Sequence, residues 1–168
     1  MNMNDFTRDI NEINEIILHS TNSPADREWP LEKIWYLNKS KGYSEENAMA
    51  YHFVIYLDGS IHAGLPLNIE GAHAKGHNVN SIGIAYVGGY VVDNGLHFCD
   101  TRNEAQKQSM RKLLVSLKKQ FPNAVIKGHS DVKVSHTRWG GEVDCPGFDA
   151  MAEYADLNNM VNETRKGE

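Results

Sequence analysis

Two stretches of this sequence are apolar, shorter than an ordinary helix, and each stops at a histidine. The first is Glu15-Ile16-Ile17-Leu18-His19-Ser20-Thr21 and the second is Ala124-Val125-Ile126-Lys127-Gly128-His129. A short apolar run of this length reads as a strand. The chain between them carries helical periodicity, and strands alternating with helices predict an α/β sheet. In such sheets ligands sit beyond the carboxyl ends of the strands, where His19 and His129 both fall. If the two strands are neighbours, their imidazoles project into one crevice.

The remaining elements follow from pattern. Residues 31–42 have the i, i+3, i+4 apolar spacing of an amphipathic helix that ends near Gly42. Asp58-Gly59 between two β-rich runs, 52–57 and 60–63, predicts a hairpin. Residues 81–87, bounded by Asn80 and Gly88-Gly89, read as a further strand. A helix over 103–120 presents Leu113, Leu114 and Leu117 on one face, with Thr101 and Glu104 spaced as a capping box. Residues 130–147 lack periodicity and are rich in Gly, Asp and His, which in a compact domain marks a functional loop. A last amphipathic helix is expected over 148–161. The predicted fold is α/β: a single domain with a mixed central β-sheet flanked by α-helices.

Composition narrows the function. A chain of 168 residues suits one domain and buries enough surface to fold without disulfide or metal support. Seventeen Lys and Arg against 22 Asp and Glu give a net charge of −5, which argues against a nucleic-acid partner. No apolar run approaches a membrane span, so membrane insertion is not expected. The N-terminal stretch is polar and acidic where a signal peptide would be basic and then apolar, so the chain is expected to be cytoplasmic as synthesised. Cys99 and Cys145 are too few for a disulfide framework.

Cys145 lies on the long loop that follows His129. Two histidines and a cysteine with a fourth position open make a catalytic zinc arrangement. Spacing alone leaves alternatives: a lone histidine is more often a hydrogen-bonded structural residue, and Cys145 beside Pro146-Gly147 can be a buried thiol.

A resemblance is more specific. Seven blocks occur in order: Ile17-Leu18-His19-Ser20-Thr21, Tyr51-His52-Phe53-Val54-Ile55, Asp58-Gly59-Ser60-Ile61-His62-Ala63-Gly64, Gly71-Ala72-His73-Ala74-Lys75-Gly76-His77-Asn78, Asn80-Ser81-Ile82-Gly83-Ile84, Gly128-His129-Ser130-Asp131-Val132 and Cys145-Pro146-Gly147-Phe148-Asp149. In these blocks the chain resembles the zinc N-acetylmuramoyl-L-alanine amidases, a superfamily that includes amidase-type bacteriophage lysozymes and animal peptidoglycan recognition proteins. The resemblance spans residues 14–157. It implies Zn2+ as cofactor with His19, His129 and Cys145 as ligands, and Tyr51 as the catalytic tyrosine beside the attacking water. The reaction implied is hydrolysis of the amide between N-acetylmuramic acid and L-alanine in bacterial peptidoglycan. His73, Lys75 and Asn80 are expected to contact that substrate, with His77 and Asn78 close by.

One departure stands out. The phage-type enzymes carry a lysine two residues before the ligand cysteine, where this chain has Val143; Lys133, His136 or Arg138 in the long loop could substitute. Without a substitute, the chain would be a peptidoglycan-binding module that keeps zinc but does not turn over. His52 and His62 on the hairpin read as structural, Trp35 as core, and Trp29 and Trp139 as possible sugar-stacking rings. The expected working unit is a monomer, an endolysin-like enzyme that reaches the cell wall after release or export by other machinery.

Overall fold

The computed structural model describes residues 3–132 and 145–164. Its strands are β1 (Glu15–Ser20), β2 (Ser23–Pro24), β3 (Phe53–Ile55), β4 (Ile61–Ala63), β5 (Ser81–Tyr86), β6 (Gly89–Val92), β7 (Leu96–Phe98) and β8 (Val125–Gly128). Its helices are α1 (Leu31–Ser40), α2 (Glu104–Gln120), α3 (His129–Val132), α4 (Ala150–Glu153) and α5 (Ala155–Thr164). Five strands form the central sheet in the order β4-β3-β5-β1-β8. It is mixed, as expected: β1 runs parallel to β5 and β8, β3 runs parallel to β5, and β4 is antiparallel to β3 through the Asp58-Gly59 turn.

All six residues of β1 are buried. Side chains alternate along a strand, so Ile16 and Leu18 enter a core built with Ile82, Ile84, Met110, Leu114, Leu117 and Ile126 under α2 and α5. Ile17 faces the other way, onto Ala74 and Val132. His19 shares the face of Ile17, on the side where Ile34 of α1 packs on Val54 and Val87. The apolar pattern of β1 thus places one imidazole at the end of a rigid central strand, beneath α1.

Two expectations need correction, and one small sheet was not expected. The capping box of α2 is made by Asn103 and Gln106, each side chain bonding the other's backbone; Thr101 is occupied elsewhere, its Oγ1 accepting from the Gly89 N–H at 2.8 Å. The last helix starts later, because Asp149 caps it through the Ala152 N–H while Phe148 packs beneath the Arg102 guanidinium, and it is divided at Tyr154. A second small sheet, β2-β6-β7, went unforeseen. The loop expected over 130–147 opens as the one-turn α3, and residues 133–144 lie outside the described region. Among the described residues no helix is long and apolar enough to cross a membrane.

Candidate active site

The two histidine-terminated strands are neighbours. Leu18 of β1 pairs with Gly128 of β8, so His19 and His129 leave the sheet side by side with ring centroids 4.5 Å apart. Cys145 meets them from the start of the next described segment: its Sγ lies 3.9 Å from His19 Nδ1 and accepts the Ser20 N–H at 3.4 Å. Two bonds hold it there, from Ser130 N–H to the Cys145 carbonyl at 2.9 Å and from Tyr86 Oη–H to the Pro146 carbonyl at 2.6 Å. One ligand atom from each of His19, His129 and Cys145 lies within 4.8 Å of the others. Two imidazoles and a thiol at that spacing can hold a metal ion.

The other nitrogen of His19 points down. Its Nε2 is 2.8 Å from Nδ1 of His73, whose Nε2 is 3.3 Å from Ser81 Oγ. Burial pushes the His73 imidazole well below its ordinary pKa, and the nearby His52, His129 and Arg8 add to that. His52 is buried beside it, with Nδ1 accepting from the Gly83 N–H and Nε2 donating to the Ile69 carbonyl; burial brings its pKa down to about 4. His52 is a structural residue in this arrangement. His62 stacks on Tyr56 at 3.6 Å, on the hairpin.

Above the cluster opens a cleft of about 340 Å³ walled by α1 and the segment after it. Tyr51 lines it, with its ring centroid 5.3 Å from that of His19. Trp29, Ile34, Leu37, Asn38, Lys41 and Tyr43 form the opposite wall, and no carboxylate lines it among the described residues. This wall was not read from the sequence, where only the apolar face of α1 has a periodicity to find.

The expected substrate contacts scatter. His73 borders the cleft but is 8% exposed, with both ring nitrogens engaged. Lys75 is exposed on its loop and does not line the cleft. Asn80 precedes β5, whose first residue Ser81 pairs with Glu15, so it lies at the end of the sheet opposite His19; its Nδ2 donates to Asn14 Oδ1. Lys133, His136, Arg138, Trp139 and Val143 lie outside the described residues.

The sequence model of the N-acetylmuramoyl-L-alanine amidases matches residues 9–148. The chain belongs to that family. As an amidase it is 32% identical over 150 residues to the endolysin of Escherichia phage T7, covering 89% of this chain and 90% of that endolysin. The solved N-acetylmuramoyl-L-alanine amidase LysC of Clostridium intestinale URNW superposes with a TM-score of 0.65 at 29% identity, covering 89% of each chain. The amidase also shares its fold with the peptidoglycan recognition protein SA of Apis mellifera, at a TM-score of 0.64 and 22% identity over 93% of this chain and 88% of that one.

Proposed function

We propose that the chain hydrolyses the amide between the lactyl group of N-acetylmuramic acid and the L-alanine of the stem peptide in bacterial peptidoglycan, with zinc as cofactor. The observation that carries the reading is the convergence of His19, His129 and Cys145 at the floor of the cleft, with Tyr51 beside them. The donor set fits zinc: around a tetrahedral ion with ordinary Zn–N and Zn–S lengths, nitrogen and sulfur stand about 3.6 Å apart, close to the 3.9 Å found between His19 and Cys145. When bound, zinc supplies a Lewis acid for the scissile carbonyl and a water nucleophile at neutral pH.

The chain's own groups complete the reaction. Cys145 would hold the ion as its thiolate, a charge that the Ser20 N–H aimed at Sγ would favour. Tyr51, whose ring lines the cleft beside His19, supplies the phenol that donates to the oxygen on which negative charge develops. The cleft between α1 and the strand ends holds the stem peptide, with Lys41 facing its carboxylates. The working unit is one domain with its core over 14–157, acting on the wall once released.

Digestion of purified murein tests this reading. Amidase action frees amino groups that label as alanine, without new reducing ends; a glycosidase does the reverse. Murein that is bound with no alanine freed would favour the binding module that Val143 suggests, and new reducing ends alone would overturn the amide assignment.

A further inference from the structure

The block from Gly71 to Gly83 is built around a group that the mechanism above does not use. The His73 ring lies in a slot between two glycines. A Cβ on Gly83 would stand 2.5 to 2.7 Å from three atoms of that ring, and one on Gly71 would stand 2.6 Å from its Cδ2. Real Cβ contacts do not reach such distances, so both positions must lack a side chain for His73 to lie where it does. Its backbone is fixed by Asn78, whose Oδ1 accepts the N–H groups of both His73 and Ala74 at 2.9 Å. The loop is pinned in turn by the buried Arg8, which donates to the carbonyls of Leu67, Asn78 and Ser81.

We infer that His73 is a positioning residue for the metal centre: through a relay from His19 to His73 to Ser81 it fixes the ring and tautomer of His19, so that Nδ1 is the nitrogen presented to the ion. The inference rests on the zinc reading above. The direction of the relay follows from the distances. His19 Nδ1 is the nitrogen near Cys145 Sγ, at 3.9 Å, so it must be unprotonated to act as ligand. The proton is then on Nε2, which donates to His73 Nδ1 at 2.8 Å; His73 in turn carries its proton on Nε2, facing Ser81 Oγ at 3.3 Å. A ligand imidazole whose second nitrogen donates a hydrogen bond is both oriented and made more basic, and loss of such a partner costs about 10- to 100-fold in metal affinity or activity. His73 spends both nitrogens in this relay, so the block that resembles a substrate loop in sequence serves as the support of a ligand.

The test uses the full chain with three substitutions, His73→Leu, His73→Asn and His73→Gln. Three quantities are measured: Zn2+ affinity by competition with a chelator, the visible spectrum of the Co2+-loaded protein, and the melting temperature of the metal-free protein. Asn places its amide near the position of Nδ1 and Gln near that of Nε2. His73→Leu should weaken Zn2+ binding about 10- to 100-fold and alter the Co2+ bands. Asn should recover most of the affinity, and Gln should not. The relay is overturned if a folded Leu variant binds Zn2+ within about twofold of the wild type, or if Asn and Gln bind equally well. The Asn and Gln pair decides the matter if the Leu variant does not fold. A wild-type protein that binds no Zn2+, or that binds it as tightly after Cys145→Ala, overturns the zinc reading itself and the relay with it.

Discussion

Both ends of the same face of β1 gather polar groups, and both draw on the same three pieces of chain. At the amino end, Glu15 of β1 meets Lys127 of β8 at 2.7 Å and His77 of the 71–80 loop at 2.8 Å. At the carboxyl end, His19 of β1 meets His129, just past β8, and His73 of that same loop. Each cluster contains a histidine from the loop, so residue type does not separate them. What differs is charge. Glu15 brings a carboxylate to two nitrogen bases, and the triad closes on itself. The carboxyl end brings imidazoles and the Cys145 thiol beneath an open cleft with no carboxylate in its described wall. Imidazole nitrogens and a cysteine sulfur that can ionise, facing a cavity, can take a cation, whereas a closed ion pair has nothing left to bind.

The largest expected effect breaks the carboxyl end. Cys145→Ala or His129→Ala should reduce murein hydrolysis about 10³-fold or more and remove zinc, since nothing then holds the metal chemistry in place. Retained activity with zinc absent by elemental analysis would reassign the centre. Next comes Tyr51→Phe, expected to lower kcat about 10²-fold with zinc content unchanged, the usual cost of one oxyanion donor. A change in KM alone would instead make Tyr51 a substrate contact.

The third prediction works at the amino end. Burial raises the Glu15 pKa, but the bonds from Lys127 and His77 outweigh burial and hold the carboxyl below its usual value of 4.5. A carboxyl depressed in the folded state stabilises above its unfolded pKa and loses that contribution as pH falls through the folded value. Glu15→Gln should therefore cost about 1–3 kcal/mol near neutral pH, with murein hydrolysis at 25 °C within about threefold of wild type. The difference in stability between the two proteins should shrink as pH drops below 4.5. Denaturant titrations at neutral pH and near pH 3 check both points. A constant difference would mean that the triad does not act through charge.

The sequence was most informative where one strand dictates one direction. The runs ending at His19 and His129 read as strands because both are short and apolar. Every residue of β1 is covered, β8 is an edge strand with Val125 exposed, and their parallel pairing brings the carboxyl ends together. The loop position of Cys145 left it open between ligand and buried thiol, because no periodicity crosses the segment before it, and the resemblance made the choice. The small sheet had no such signal: β2, β6 and β7 are two, four and three residues long, and Val92 and Leu96 stay exposed, so neither alternation nor a buried run marks them. The capping box and the last helix were misplaced because Thr101 and Phe148 obey local patterns while their side chains serve distant partners, Gly89 and Arg102. His73, Lys75 and Asn80 stand within one short stretch of sequence yet reach three places: beneath the His19, His129 and Cys145 cluster, into solvent and to the far end of the sheet. Proximity along a loop carries no direction.

The smallest expected effect sharpens the comparison at that far end. Asn80 adjoins the Glu15 triad through the pairing of Ser81 with Glu15, and β5 separates it from the cleft. Its Nδ2 donates to Asn14 Oδ1 at 2.9 Å, while its own Oδ1 is buried without a hydrogen-bond partner. Truncation to alanine removes one favourable bond and one unsatisfied acceptor, two terms of opposite sign and similar size. Asn80→Ala should therefore change stability by no more than about 1 kcal/mol. Its kcat/KM on murein should stay within about twofold of wild type, because no group of the cleft loses a partner. A tenfold fall in kcat/KM with the melting temperature preserved would mean that substrate reaches round to the amino end of β1, and the two ends would then be parts of one site.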